Sequence, residues 1–195
     1  MVMSQQAGEQ TQHDHPQHDD THHQDTPGRS AAVAVTISDR SSDGRREDES
    51  GRLLVEALRD LGYAVESSVV VPDGVESVAG ALRAAVADGA RLVVTTGGTG
   101  MGPRDLTPEG TREVITRENH GMAELIRREG ARHTPFAAVS RGVVGVVDWP
   151  AERGVGGTLV INLPGRPAAV TEGMEIVGPL LRHVLSQVSG GDHSW

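Results

Sequence analysis

The feature that most constrains this chain is a short, almost wholly apolar run that recurs three times: "AAVAVTISD" at 31–39, "RLVVTT" at 91–96 and "GTLVINLP" at 157–164. The first carries no polar alternation and predicts a strand buried on both faces; the second predicts another strand, and the third a strand or extended segment. "AVESSVVVP" (64–72) adds a further strand, and "FAAVSRGVVGVV" (136–147) reads as strand or extended chain. Between them the apolar period changes to that of a helix. "SGRLLVEALRDLGY" (50–63) has Ser50 as a candidate N-cap and Gly62 near its end. Val75, Val78, Ala79, Leu82 and Val86 mark the next helix, where Asp73 and Glu76 have the spacing of a capping box. Thr107-Pro108-Glu109 opens a helix expected to reach about Asn119, and another is expected from Met122 to near Arg132. Val170, Met174, Val177, Leu181 and Leu185 mark a closing helix after Pro167. Strands alternating with helices predict an α/β domain with a largely parallel sheet, whose ligands bind beyond the carboxyl ends of the strands.

The 195 residues divide into a tail at 1–29, one domain at 30–190 and a short C-terminal tail at 191–195. The first tail holds "HDHPQHDDTHHQD" and almost no apolar residues, so it is expected to be disordered. Its histidines can bind a divalent metal weakly or simply solubilise the chain. A net charge of −9 argues against nucleic acid and anionic membranes as partners. Tyr63, Phe136, Trp149 and Trp195 are the whole aromatic complement, too few for base-stacking platforms. Cysteine and lysine are both absent, which excludes thiolate and Schiff-base chemistry and any phosphate loop that depends on lysine. With no membrane-length apolar run and no secretory signal, the expected location is the cytoplasm.

One stretch concentrates the candidate chemistry: "VVTTGGTGMGPRDLTPEG" at 93–110, with five glycines between Gly97 and Gly110. Pro103 stands where a dinucleotide fingerprint needs its third glycine, and the missing lysine removes the P-loop reading. Two readings remain. Glycines can let backbone N–H groups close on an anion, with Arg104 as a phosphate ligand and Asp105 facing it through a divalent cation. The stretch can equally be a glycine-rich turn in which Asp105 caps local backbone.

These residues resemble the signature of the Mog/MoaB family of molybdenum-cofactor biosynthesis proteins, and five further segments match that family in order. They are "VTISDR" (35–40), "DESG" (48–51), "VVPD" (70–73), "TPFAAVSRGVVGV" (134–146) and "LVINLPGRPAAVTE" (159–172). The resemblance covers about residues 31 to 188. It implies a three-layer α/β/α molybdopterin-binding fold that assembles as a homotrimer. It also implies transfer of AMP from ATP to molybdopterin with Mg²⁺, releasing pyrophosphate and supplying a molybdate-inserting enzyme. Carried over, Asp73 and Asp105 are the catalytic carboxylates and Mg²⁺ ligands, and Gly97, Gly98, Thr99, Gly100 and Arg104 take the nucleotide. Ser38, Asp39, Ser50, Ser140, Asn162, Pro164 and Gly165 are placed on the pterin side. Gly130 stands where some active members carry a serine. Three of these residues keep a second reading: Asp73 and Ser50 as helix caps, and Asp39 as the end of its strand. The alternatives to catalysis are a MoaB-like pterin carrier and an oligomeric scaffold.

Overall fold

The computed structural model describes residues 31–191. Its strands are β1 (Ala32–Ile37), β2 (Ser68–Val71), β3 (Leu92–Thr96), β4 (Arg117–Glu118), β5 (Val144–Asp148) and β6 (Gly157–Leu163). The helices are α1 (Asp39–Ser42), α2 (Glu49–Asp60), α3 (Val75–Ala87), α4 (Thr107–Arg112), α5 (His120–Gly130) and α6 (Pro167–Val188). The expectations for 1–29 and for the last four residues lie outside the described residues.

Period-two alternation sorts the apolar strand residues to the two faces of the sheet. Ala32 and Ala34 of β1, Leu92 and Val94 of β3, and Leu159, Ile161 and Leu163 of β6 pack with α2, α5 and α6. Val35, Ile37, Val93 and Val160 point the other way and pack against Val78, Leu82 and Ala85 of α3. The result is a three-layer α/β/α domain with a core on each side of one sheet. The residues marking the closing helix, Val170 to Leu185, are all buried in α6.

Strand order is β2-β1-β3-β6-β5-β4. The first three pairings are parallel, and β5 is antiparallel to both of its neighbours. The sheet is therefore mixed, with β5 alone running against the others among the described strands. After β1 the chain moves outward to β2 and then returns to the other side of β1 as β3. This makes the β1/β3 boundary the switch point where such sheets open a crevice.

Three local expectations are corrected. The strand expected at 64–72 shortens to Ser68–Val71, with Ala64 making only an isolated bridge to Ala31. The helix expected to reach Asn119 stops at Arg112, because the β-branched run Val114-Ile115-Thr116 is drawn onto the sheet. There the Thr116 N–H donates to Val146 at 2.8 Å, and β4 pairs with β5. The 136–147 segment divides into a 3-10 turn at Pro135–Val139 and a strand from Val144.

Candidate functional site

The parallel registers set Ile37 beside Val71, Thr36 beside Thr96, and Thr96 beside Leu163, so four strands end along one edge. The segments leaving them line a cavity of about 750 Å³. Ser38, Asp39, Ser50, Asp73, Gly97, Gly98, Thr99, Gly100, Asp105, Ser140, Pro164 and Gly165 all contribute to its wall. Of the residues expected at the site, only Arg104 and Asn162 do not.

The glycine loop begins at the end of β3. Gly97 and Gly98 adopt φ of +103° and +60°, the left-handed region that favours glycine. A Cβ at Gly97 would also stand 2.2 Å from the Ile37 carbonyl oxygen. Every carbonyl from Gly97 to Gly100 is held by the protein. Thr107 Oγ1 donates to Gly97 at 2.9 Å, and the Thr107 N–H donates to Gly98 at 3.0 Å. The Arg141 N–H donates to Thr99 at 2.8 Å, and Arg141 Nε donates to Gly100 at 2.8 Å. Among the described residues, the amides of Gly98, Thr99 and Gly100 have no acceptor in the protein. Bound carbonyls and unmatched N–H groups along a cavity wall give the polarity of an anion-binding concavity.

The two expected carboxylates meet this loop at different points, Asp73 at Gly98 and Asp105 at Gly100 and Gly102. Asp73 Oδ2 accepts the Asp39 N–H at 2.9 Å, and Asp39 Oδ1 accepts the Asp73 N–H at 3.1 Å. Asp73 is therefore not the cap of α3; Gly74 takes that position with no side-chain bond, and the capping box does not form. The other Asp73 oxygen, Oδ1, would be 3.0 Å from a Cβ placed on Gly98. Asp105 Oδ2 accepts the Gly102 N–H at 2.8 Å and packs against Gly100 and Gly102. Asp105 thus shapes the loop and lines the cavity at once.

Arg104, expected as a phosphate ligand, is engaged by the protein itself. Its Nε donates to Asp39 Oδ2 at 3.1 Å, and its Nη2 donates to Asp39 Oδ1 and to the Asp73 carbonyl, both at 2.8 Å. The hydrogen-bonded guanidinium holds the Asp39 carboxyl below its ordinary range.

The remaining expected residues join distant segments. Ser50 does not cap α2: Asp48 Oδ1 accepts the Gly51 N–H at 2.8 Å, which frees Ser50 Oγ to donate to the Gly165 carbonyl at 2.9 Å. Thr107 likewise opens α4 without capping it, its hydroxyl being engaged by Gly97. Ser38 caps α1 by accepting the Ser41 N–H at 3.2 Å. Ser140 Oγ donates to Thr99 Oγ1 at 3.3 Å, and the Pro164 carbonyl accepts from Thr96 Oγ1 at 2.9 Å. Asn162 is a core residue, 2% exposed. Its Nδ2 donates to Thr95 and Thr111, and its Oδ1 accepts the Val143 N–H at 3.1 Å. With both ends of the amide engaged, Asn162 holds β6 to its neighbours instead of reaching the cavity. A Cβ at Gly130 would stand 3.1 Å from Ala137, so a serine there would press on the 3-10 turn that lines the cavity.

Sequence reasoning missed Arg141, which braces the glycine loop, also donates to the Asp105 carbonyl, and pairs with Glu109. That pairing holds the Glu109 carboxyl below its usual range. The only signal was its place beside Ser140. No group of three metal-ligating side chains occurs among the described residues. Asp73 and Asp105, each with one oxygen bound to a backbone N–H, are two carboxylates lining the same cavity. Such a set suits a hydrated Mg²⁺ completed by substrate phosphates better than a protein-only metal cage.

Comparison with known proteins agrees with this geometry. The family described as a probable molybdopterin binding domain matches residues 33–183. The molybdopterin adenylyltransferase of Pyrococcus furiosus is 37% identical over 152 residues, covering 77% of this chain and 86% of that protein. A molybdenum cofactor biosynthesis bifunctional protein of Synechococcus elongatus is 36% identical over 83% of this chain, which spans only 48% of that relative's length. Among solved structures, the molybdopterin biosynthesis enzyme MoaB of Thermus thermophilus is 41% identical with a TM-score of 0.73, covering 85% of this chain and 99% of that one. The Mog protein of Mycobacterium ulcerans is 38% identical with the same TM-score, covering 82% and 99%. The matched residues contain both the sheet and the cavity built at its carboxyl edge, and on that ground the chain belongs to the Mog/MoaB family of molybdenum-cofactor biosynthesis proteins.

Proposed function

We propose that this chain is a molybdopterin adenylyltransferase. The observation that carries the reading is the run of three acceptor-less amides at Gly98, Thr99 and Gly100, in a cavity that Asp73 and Asp105 also line. An oxygen of the terminal phosphate of molybdopterin attacks the α-phosphorus of ATP. The bond from that phosphorus to the bridging oxygen breaks, and pyrophosphate leaves with the electron pair. No protein nucleophile is required, which suits a chain without cysteine or lysine. The loop amides receive the nucleotide phosphates, and Ser38, Ser50, Ser140, Pro164 and Gly165 face the pterin. Asp73 and Asp105 are the residues that would hold Mg²⁺, which when bound neutralises phosphate charge. The protein's own contribution is positioning and charge placement.

The test is pyrophosphate release from purified protein with molybdopterin, ATP and Mg²⁺. Release is expected in the wild type and is expected to fall by about a hundredfold or more in Asp105→Asn, as when a group that stabilises transition-state charge is removed. Tight pterin binding without turnover would sink the reading. It would favour a pterin carrier. The adenylylated product passes, on this reading, to a molybdate-inserting enzyme in the cytoplasm.

A further inference from the structure

Three segments far apart in sequence meet at one guanidinium. Asp39 follows β1, Asp73 follows β2, and Arg104 lies in the glycine loop, 65 residues from Asp39 and 31 from Asp73. Arg104 forks onto both carboxylate oxygens of Asp39 and takes the Asp73 carbonyl as a third acceptor. Asp39 and Asp73 then exchange backbone N–H and carboxylate bonds with each other. Arg45, which also faces Asp39 electrostatically, is paired with Asp43 at 2.6 Å.

We propose that Arg104 and Asp39 form a positioning clasp that sets the orientation of the Asp73 carboxylate, and that neither side chain is a substrate ligand. With Oδ2 held by the Asp39 amide, Asp73 has its Oδ1 aimed at the glycine loop beside Gly98. The side chains of Arg104 and Asp39 are 63% and 36% exposed, and a pair so exposed contributes little to stability. What a planar fork fixes is geometry: it locks two loop ends into one register. The clasp also cancels the Asp39 charge, so a polyphosphate entering the cavity meets one fewer repelling carboxylate. Arg104 already uses Nε and Nη2 for three carboxylate contacts and a carbonyl, so turning that face of the fork to a phosphate would break them.

This inference rests on the adenylyl-transfer reading only for its kinetic arm. Arg104→Gln, Asp39→Asn and the double variant are compared with wild type in kcat, in KM for ATP, and in hydrogen exchange at the Asp39 and Asp73 amides. Each single variant is expected to lower kcat by about ten- to a hundredfold, as loss of an outer positioning partner does, with KM for ATP unchanged. The double variant should be no worse than the poorer single one, because the two residues act as a unit. Arg104→Lys should not rescue, since an ammonium keeps the charge and loses the fork. Exchange at the Asp39 and Asp73 amides should quicken in Arg104→Gln. Raised KM for ATP with unchanged kcat in Arg104→Gln, or multiplying losses in the double variant, would overturn the clasp in favour of a direct phosphate contact. Unchanged amide exchange would also overturn it, whether or not the wild type turns over. If the wild type releases no pyrophosphate while the amides remain coupled to Arg104, the adenylyl-transfer reading falls and the clasp stands.

Discussion

Gly97 shows how tightly single residues are prescribed at this site. Its φ of +103°, and an Ile37 carbonyl oxygen that would lie 2.2 Å from any Cβ, leave no space for a side chain. Gly97→Ala should therefore lose stability by about 1–3 kcal/mol from backbone strain alone, with more from displacing β1. Urea unfolding would show a lower midpoint, and an unchanged midpoint would mean that the loop has another available conformation. Residue types were legible in the sequence here, and their partners were not. Asp73, Ser50 and Thr107 all carry the local pattern of an N-cap, yet each turns to a partner in another segment: Asp39, Gly165 and Gly97. A cap is a contact over three residues and can be read locally. These contacts span 34, 115 and 10 residues and exist only once the sheet has aligned its strand ends.

At the scale of elements, apolar runs and helical spacing identified β1, β3, β6, α2, α3 and α6 well, because burial on a fixed face imposes a period. The weaker readings fall where that period is short or absent. β4 is a two-residue strand, and the reversal of β5 is set by its pairing with β4 and β6, to which no local pattern refers. Several elements are also tied by arginine–carboxylate pairs: Glu109 with Arg141, Glu118 with Arg112, and Asp148 with Arg117. In each, the guanidinium hydrogen bond lowers the carboxyl pKa in the folded chain. The folded state thus binds protons less readily than the unfolded state. The stabilisation is present above the ordinary carboxylate range near about 4 and is lost as pH falls through the depressed native values. Unfolding midpoints should be level between neutral pH and about 5, then decline in acid. A midpoint that rises on acidification would contradict the pairings.

For the whole molecule, the resemblance predicted a fold that the sheet order and the solved relatives both support, and it predicted a homotrimer as well. Sedimentation equilibrium should give three times the 20.5 kDa chain mass, and a monomer mass at micromolar concentration would refute that expectation. The chain spans about half the length of the bifunctional relatives it matches, so the same domain is carried both alone and within longer proteins. That suits a site built at one edge of one sheet, with every described wall residue supplied by residues 36–169.

The carbonyls of Gly97 to Gly100 are each fastened before any guest arrives, by Thr107 on one side and Arg141 on the other. A loop already fastened has little conformational entropy left to lose on binding, so its amides can meet an anion without rearranging. The glycines, commonly associated with flexibility, here form a rigid mould. Their freedom is used once, in reaching the left-handed turns at Gly97 and Gly98 that residues with side chains rarely adopt.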